Sequence, residues 1–152
     1  MTLDLHVPAG STGHDSLTVD ISAADAGWTY SGLRVAVLEA GESLALDTGD
    51  DELLVLPLAG GVDVETGGEV HRLTGRSGVF EGITDSLYVP RRTAMTLTSA
   101  AGGRFALPAA TAVRDLPVRY LGRDQVRTDL RGAGDCSRQV NNYALNNGVE
   151  TS

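Results

Sequence analysis

The chain of 152 residues has one cysteine, one tryptophan, two phenylalanines and four tyrosines. A single cysteine, Cys136, excludes an internal disulfide framework and fits a reducing cytoplasm. So few aromatic rings leave aliphatic side chains to fill most of the core. No apolar run approaches the roughly 20 residues of a membrane helix. The opening MTLDLHVPAGSTGHDS has neither the basic stretch nor the apolar run of a signal peptide. Positive charge is in the minority, with 12 Lys and Arg against 20 Asp and Glu and a net charge of −8. Such a chain repels phosphate backbones, so nucleic acid is not an expected partner, and neither is a membrane. The acids are spread along the chain and form no acidic tail.

What is present is enough for one packed domain. Hydrophobic residues make up 41% of the chain, and a chain of this length buries roughly two-thirds of its unfolded surface. The 19 glycines and 5 prolines cut the sequence at short intervals. Between them lie short alternating runs. LRVAVLE (33–39) places Leu33, Val35 and Val37 on one face, the period of a strand. ELLVLPL (52–58) is apolar on both faces and should lie between covered surfaces. Gly60-Gly61 then reads as a turn into VDVE, and Thr66-Gly67-Gly68 as a turn into EVHRL. SLYVP, AMTLTS and GRFALP continue the series. Strands of this length, with turn signals at roughly 8–12 residue intervals, predict an all-β sandwich or barrel. RDQV (123–126) could form one helical turn. Residues 1–108 are expected to form the barrel, and 109–152 an extended connector leaving it. The tail NNYALNNGVETS reads as a connection to a further domain or as a frayed terminus.

Four sets of residues could carry chemistry. Asp47, Asp50, Asp51 and Glu52 could hold a hard cation through oxygen, but they lack a calcium-loop spacing and read better as a solvated turn. His6, His14 and His71 sit in unrelated segments with no metal-ligand spacing. Cys136 has no identifiable base nearby, so a small buried or half-buried side chain is the expected role. The stretch RGAGDCSRQVNNY (131–143) is different. Its glycines allow a sharp turn, and Arg138, Gln139, Asn141 and Asn142 follow as a dense set of donors and acceptors. Arginine's planar fork suits a carboxylate, and amides suit sugar hydroxyls. The plainer alternative is a junction whose polar side chains satisfy backbone groups.

Gly41–Gly60 resembles the first motif of the cupins, which runs glycine, five residues, His-x-His, a glutamate and a later glycine. Here Asp47-Thr48-Gly49 stands in place of His-x-His, and Glu52 is out of register with the glutamate. Pro90-Arg91-Arg92 and Met95 stand where a second motif would place Pro-x-Gly and a histidine. The resemblance therefore implies a cupin-like double-stranded β-helix (jelly-roll) barrel, a degenerate cupin domain that lacks the metal histidines.

GWTYSGLRV, GDDELLVLPLAG, RSGVF, TDSLYVPRR and RGAGDCSRQVNNY, in that order, are similar to the N-terminal half of the 5-deoxy-glucuronate isomerase family, bicupins of myo-inositol catabolism. The resemblance covers roughly Gly27 to Asn142. It implies aldose–ketose isomerisation of 5-deoxy-glucuronate to 5-dehydro-2-deoxy-gluconate, with a divalent metal in a second cupin domain and none in this one. It gives this half a structural role with help in holding a uronate-like sugar acid. The matched pattern R-G-x-G then R-x-V-x-N points to Arg138 and Asn142 first, with Arg131 and Gln139 beside them, and to no catalytic residue. Two rivals stand beside it: a stand-alone, non-catalytic barrel for ligand binding or homo-oligomer assembly, and a related uronate isomerase on the same two-cupin plan.

Overall fold

Short alternating runs become strands. The computed structural model describes residues 6–145 and 150–152. Within them run β1 (Leu17–Ile21), β2 (Ser31–Leu38), β3 (Glu42–Asp47), β4 (Asp51–Thr66), β5 (Glu69–Arg76), β6 (Ser86–Val89), β7 (Ala94–Ser99), β8 (Gly103–Thr111), β9 (Arg119–Leu121), β10 (Arg127–Arg131) and β11 (Arg138–Asn142). Two single 3₁₀ turns, Arg123–Gln125 and Gly134–Cys136, are the only helical pieces among the described residues. The first falls where RDQV predicts one turn.

The strands form two antiparallel sheets sharing one strand. The first has the order β1-β2-β8-β4-β6-β9, and in the second β3 pairs β7, β7 pairs β4 and β4 pairs β5. Gly60-Gly61, expected as a turn between two strands, is instead a bend inside the 16-residue β4. Before the bend β4 pairs β8 and β6; after it, β5 and β7. The register slips between Gly60 and Val62, as at a bulge. Gly60 has φ +84°, and a Cβ there would lie 2.5 Å from the Gly102 carbonyl oxygen. Gly75, at φ +67°, lies against the Gly60 carbonyl with no room for a side chain. Two glycines meeting across the pair let one strand cross from sheet to sheet.

Apolar side chains fill the space between the sheets. Phe105, Leu107, Leu97, Leu87, Leu73, Val64 and Val55 are fully buried there. Thus the barrel interior is a packed apolar core. On β2 the alternation holds, but Leu33, Val35 and Val37 take the outer face. Ala36 (0% exposed) and Leu38 (2% exposed) point inward.

The chain beyond 108 does not simply leave the barrel. β8 continues to Thr111, and β9 returns to pair with β6, burying Leu121 against Leu54 and Tyr88. Only β10 and β11 form a separate two-stranded sheet, with Arg131 opposite Arg138 and Arg127 opposite Asn142. Its base is tied back by buried Val126 and by the Thr84 amide, which donates to the Tyr143 hydroxyl at 3.1 Å.

Candidate functional site

The cupin ligand positions scatter. Asp47 ends β3, and its carboxylate accepts the Gly49 amide at 2.7 Å in an exposed turn. Thr48 is buried beside it, donating to the Pro90 carbonyl and accepting the Thr93 amide. Asp50 pairs with Arg91 at 3.0 Å at the rim, and Asp51 accepts the Thr111 hydroxyl. These three acids serve the turn, as the solvated reading expects. Met95 is buried in the core. His14 and His71 each lie 3.9 Å from a different carboxylate, Asp20 and Glu69, and His6 is exposed ahead of β1. Among the described residues no group of three His, Cys, Asp or Glu is gathered to hold a metal ion. The donor set of this barrel does not fit the metal of a cupin.

Glu52 departs from the solvated-turn expectation. It begins the two-faced apolar run and points to the outer face, where it is only 6% exposed. The Tyr88 hydroxyl donates to it at 2.6 Å and the Ser152 amide at 2.8 Å. Burial first, then the bond to Glu52, pushes the Tyr88 phenol well above its ordinary range. The pair lines a cavity of about 240 Å³ whose other walls include Leu54, Pro108 and Ala110. The sequence offers no sign of this partnership, because Tyr88 sits 36 positions away on another strand.

The β10–β11 hairpin brings together most of the predicted binding residues. Its register puts Arg127, Asp129, Arg131, Arg138, Val140 and Asn142 on one face. Asp129 is the hub. It accepts Arg127 Nε at 3.1 Å, a terminal nitrogen of Arg131 at 3.2 Å and Asn142 Nδ2 at 3.2 Å. These bonds, that from Arg131 foremost, hold its carboxyl below the usual range. Asn142 also donates to the Arg127 carbonyl, at 3.1 Å. Arg127, Asp129, Arg131, Asn142 and Leu145 line a cleft of about 180 Å³. Arg138 is exposed, with one bond to the Cys136 carbonyl at 3.3 Å. Gln139 falls on the opposite face beside Leu130 and bonds Asn141 at 2.9 Å, so it does not join the other three. Cys136, expected to be at least half-buried, is exposed in the turn. Three guanidinium groups against one carboxylate, two of them bonded to it, leave this face cationic on an acidic chain. Asp129 and Arg127 escaped the sequence reading because pairing with 138–142, not spacing, puts them there.

The sequence matches the profile of the KduI/IolB family over residues 5–152. It is 29% identical over 140 residues to a protein of Geobacillus kaustophilus named 5-deoxy-glucuronate isomerase, covering 91% of this chain and 51% of that one. A Listeria monocytogenes protein of the same name is 30% identical over 126 residues, covering 81% and 46%. The chain spans about half the length of these relatives. An IolB-like protein from Salmonella typhimurium superposes with a TM-score of 0.80 at 31% identity, over 86% of this chain and 51% of that one. A cupin protein from Bacteroides fragilis, at 16% identity and TM-score 0.50, shares the fold alone.

Proposed function

The chain belongs to the KduI/IolB family, and we propose from that premise that it is the metal-free cupin half of a 5-deoxy-glucuronate isomerase in inositol catabolism. The observation that carries the proposal is the match along nearly the whole chain to relatives so named, of which it spans about half. The barrel is filled by apolar side chains, and Met95, at the position of a cupin histidine, is one of them. A divalent metal, which would polarise the sugar carbonyl during the proton shift, belongs in a second cupin domain. This half contributes scaffold and substrate contacts in the cytoplasm.

The cationic hairpin face is the contact we assign to the sugar acid. Arg138 keeps most of its fork open toward solvent and anchors the carboxylate. Asp129 holds Arg131 in place, and Asn142 fixes the hairpin base more than it faces ligand. The test is an isomerase assay on the pure chain, with and without chelator, beside titration with glucuronate. The expected result is no turnover, with glucuronate binding that Arg138→Ala weakens. Chelator-sensitive turnover by this chain alone would sink the proposal. Absence of any sugar-acid binding would favour a non-catalytic assembly barrel, which the packed apolar interior also suits.

A further inference from the structure

Glu52 is a carboxylate set among apolar neighbours. Leu54, Pro108 and Ala110 form the walls beside it. Among the described residues it takes hydrogen bonds from two neutral donors. The Tyr88 hydroxyl reaches one oxygen at 2.6 Å, and the Ser152 amide reaches both, at 2.8 and 3.1 Å. A carboxylate in such a place is costly without donors, and an apolar side chain would serve packing alone. The second donor arrives on residues 150–152. Glu150 and Thr151 are exposed and Ser152 is half-buried. None of the three is an apolar residue, so polar bonds hold the segment. Ser152 Oγ accepts the Val113 and Arg114 amides, each at 2.8 Å. The Arg114 guanidinium donates to the Thr151 carbonyl at 2.6 Å and to Glu150 at 2.5 Å. The ground that the segment grips is itself fixed. Buried Ala112, just past β8, donates to the Asp50 carbonyl at 2.9 Å and accepts Arg91 at 2.7 Å. Thr151 also lines the cavity of about 240 Å³ onto which Glu52 and Tyr88 face.

We propose that residues 150–152 are a strap that closes and opens this cavity, with Glu52 as its catch and Arg114 as its clamp. Two features make the closure reversible. A segment held by polar bonds near solvent, with no apolar anchor, opens well before the fold does. Opening also strands no group. Water reaches the Glu52 carboxylate and the amides of Ser152, Val113 and Arg114, so each exchanges one partner for another. An apolar residue at position 52 would supply the cavity wall but no catch. Tyr88 shares an oxygen of Glu52 with the Ser152 amide, so it registers the opening directly. The strap uses no residue of the β10–β11 hairpin, so it stands or falls separately from the isomerase reading.

The test is amide hydrogen exchange, read by nuclear magnetic resonance on the whole chain. The expected result is intermediate protection at Ser152. Its amide exchanges at least about tenfold slower than an unstructured amide, and at least about tenfold faster than the protected amides of β8. Arg114→Ala removes the clamp at an exposed site. It brings Ser152 close to the unstructured rate and shifts the Tyr88 ring signals, while the melting temperature holds. Glu52→Gln keeps the shape, removes the charge and speeds Ser152 exchange as well. Arg72→Ala, which breaks an exposed ion pair with Asp63 on the second sheet, changes neither reading. An unprotected Ser152 in the wild type would overturn the proposal, because the segment would not be docked. Protection equal to that of β8 would overturn it too, because the segment would be a permanent part of the fold. So would exchange indifferent to Arg114→Ala, or a freed Ser152 that leaves the Tyr88 signals in place.

Discussion

Single residues behave here according to what surrounds them. Tyr88 and Glu52 share a buried bond that neither neighbouring sequence announces. The phenol's folded value lies above its unfolded one of about 10, so the bond's stabilisation is complete below that pH and fades as pH rises through the folded value. Near-ultraviolet titration of wild type against Tyr88→Phe should show Tyr88 ionising only as the protein unfolds in alkali. Tyr88→Phe should cost about 1–3 kcal/mol in denaturant melts, because it strips a buried carboxylate of a donor. Asp129 has the opposite sign. Its folded value is depressed, so its hold on the hairpin is present above roughly pH 4 and lost below it. Amide shifts of residues 127–142 in an acid titration should move there, while those of the barrel core stay fixed. Arg138→Ala should leave the melt unchanged and weaken glucuronate binding about tenfold. An unaltered affinity would move the anchor away from the hairpin.

At the scale of elements, the deciding features are the bend in β4 and the buried carboxylate below it. A glycine pair between two apolar runs looks the same in sequence whether the chain reverses or bends. What distinguishes them is Gly75, far along the chain, whose backbone occupies the space against Gly60. Gly75→Ala should therefore destabilise by more than about 3 kcal/mol or prevent folding, since it adds strain at positive φ to an overlap with backbone. Gly68→Ala, at a hairpin turn with open space, meets only the strain of its φ of +80°. Melting the two variants side by side separates crowding from strain. Asp85 makes a similar tie, accepting the Thr74 and Gly75 amides and the Tyr120 hydroxyl at 2.8, 2.9 and 2.9 Å. It joins the end of β5 to β9, the strand that brings the expected connector back to the barrel. Asp85→Ala should cost about 1–3 kcal/mol, because one buried and two part-buried donors lose their acceptor.

The whole molecule is one bent sandwich with a cationic hairpin set apart from it. The strand periods, turn glycines and all-β class were legible because alternation and φ > 0 are local properties. The family was legible from ordered motifs, although each is weak alone. The hairpin site was half legible: Arg131, Arg138 and Asn142 stand close in sequence, and pairing put them on one face, whereas Gln139 went to the other by strand parity. The pure chain should carry far less than one transition metal per molecule by elemental analysis. A stoichiometric, tightly held metal would mean that carboxylates or histidines converge in a way the fold does not show.

The sequence by itself determined the strands, the acidic balance and the kinship, since each is written in composition, period or motif order. Only the tertiary structure decided which face of β2 is inside, that Gly60 bends rather than turns, that Glu52 is buried against Tyr88, and that Asp129 gathers two arginines and an asparagine. These outcomes depend on which strands lie side by side. Pairing between residues tens of positions apart is settled by packing and backbone hydrogen bonds, which leave no mark at either position alone.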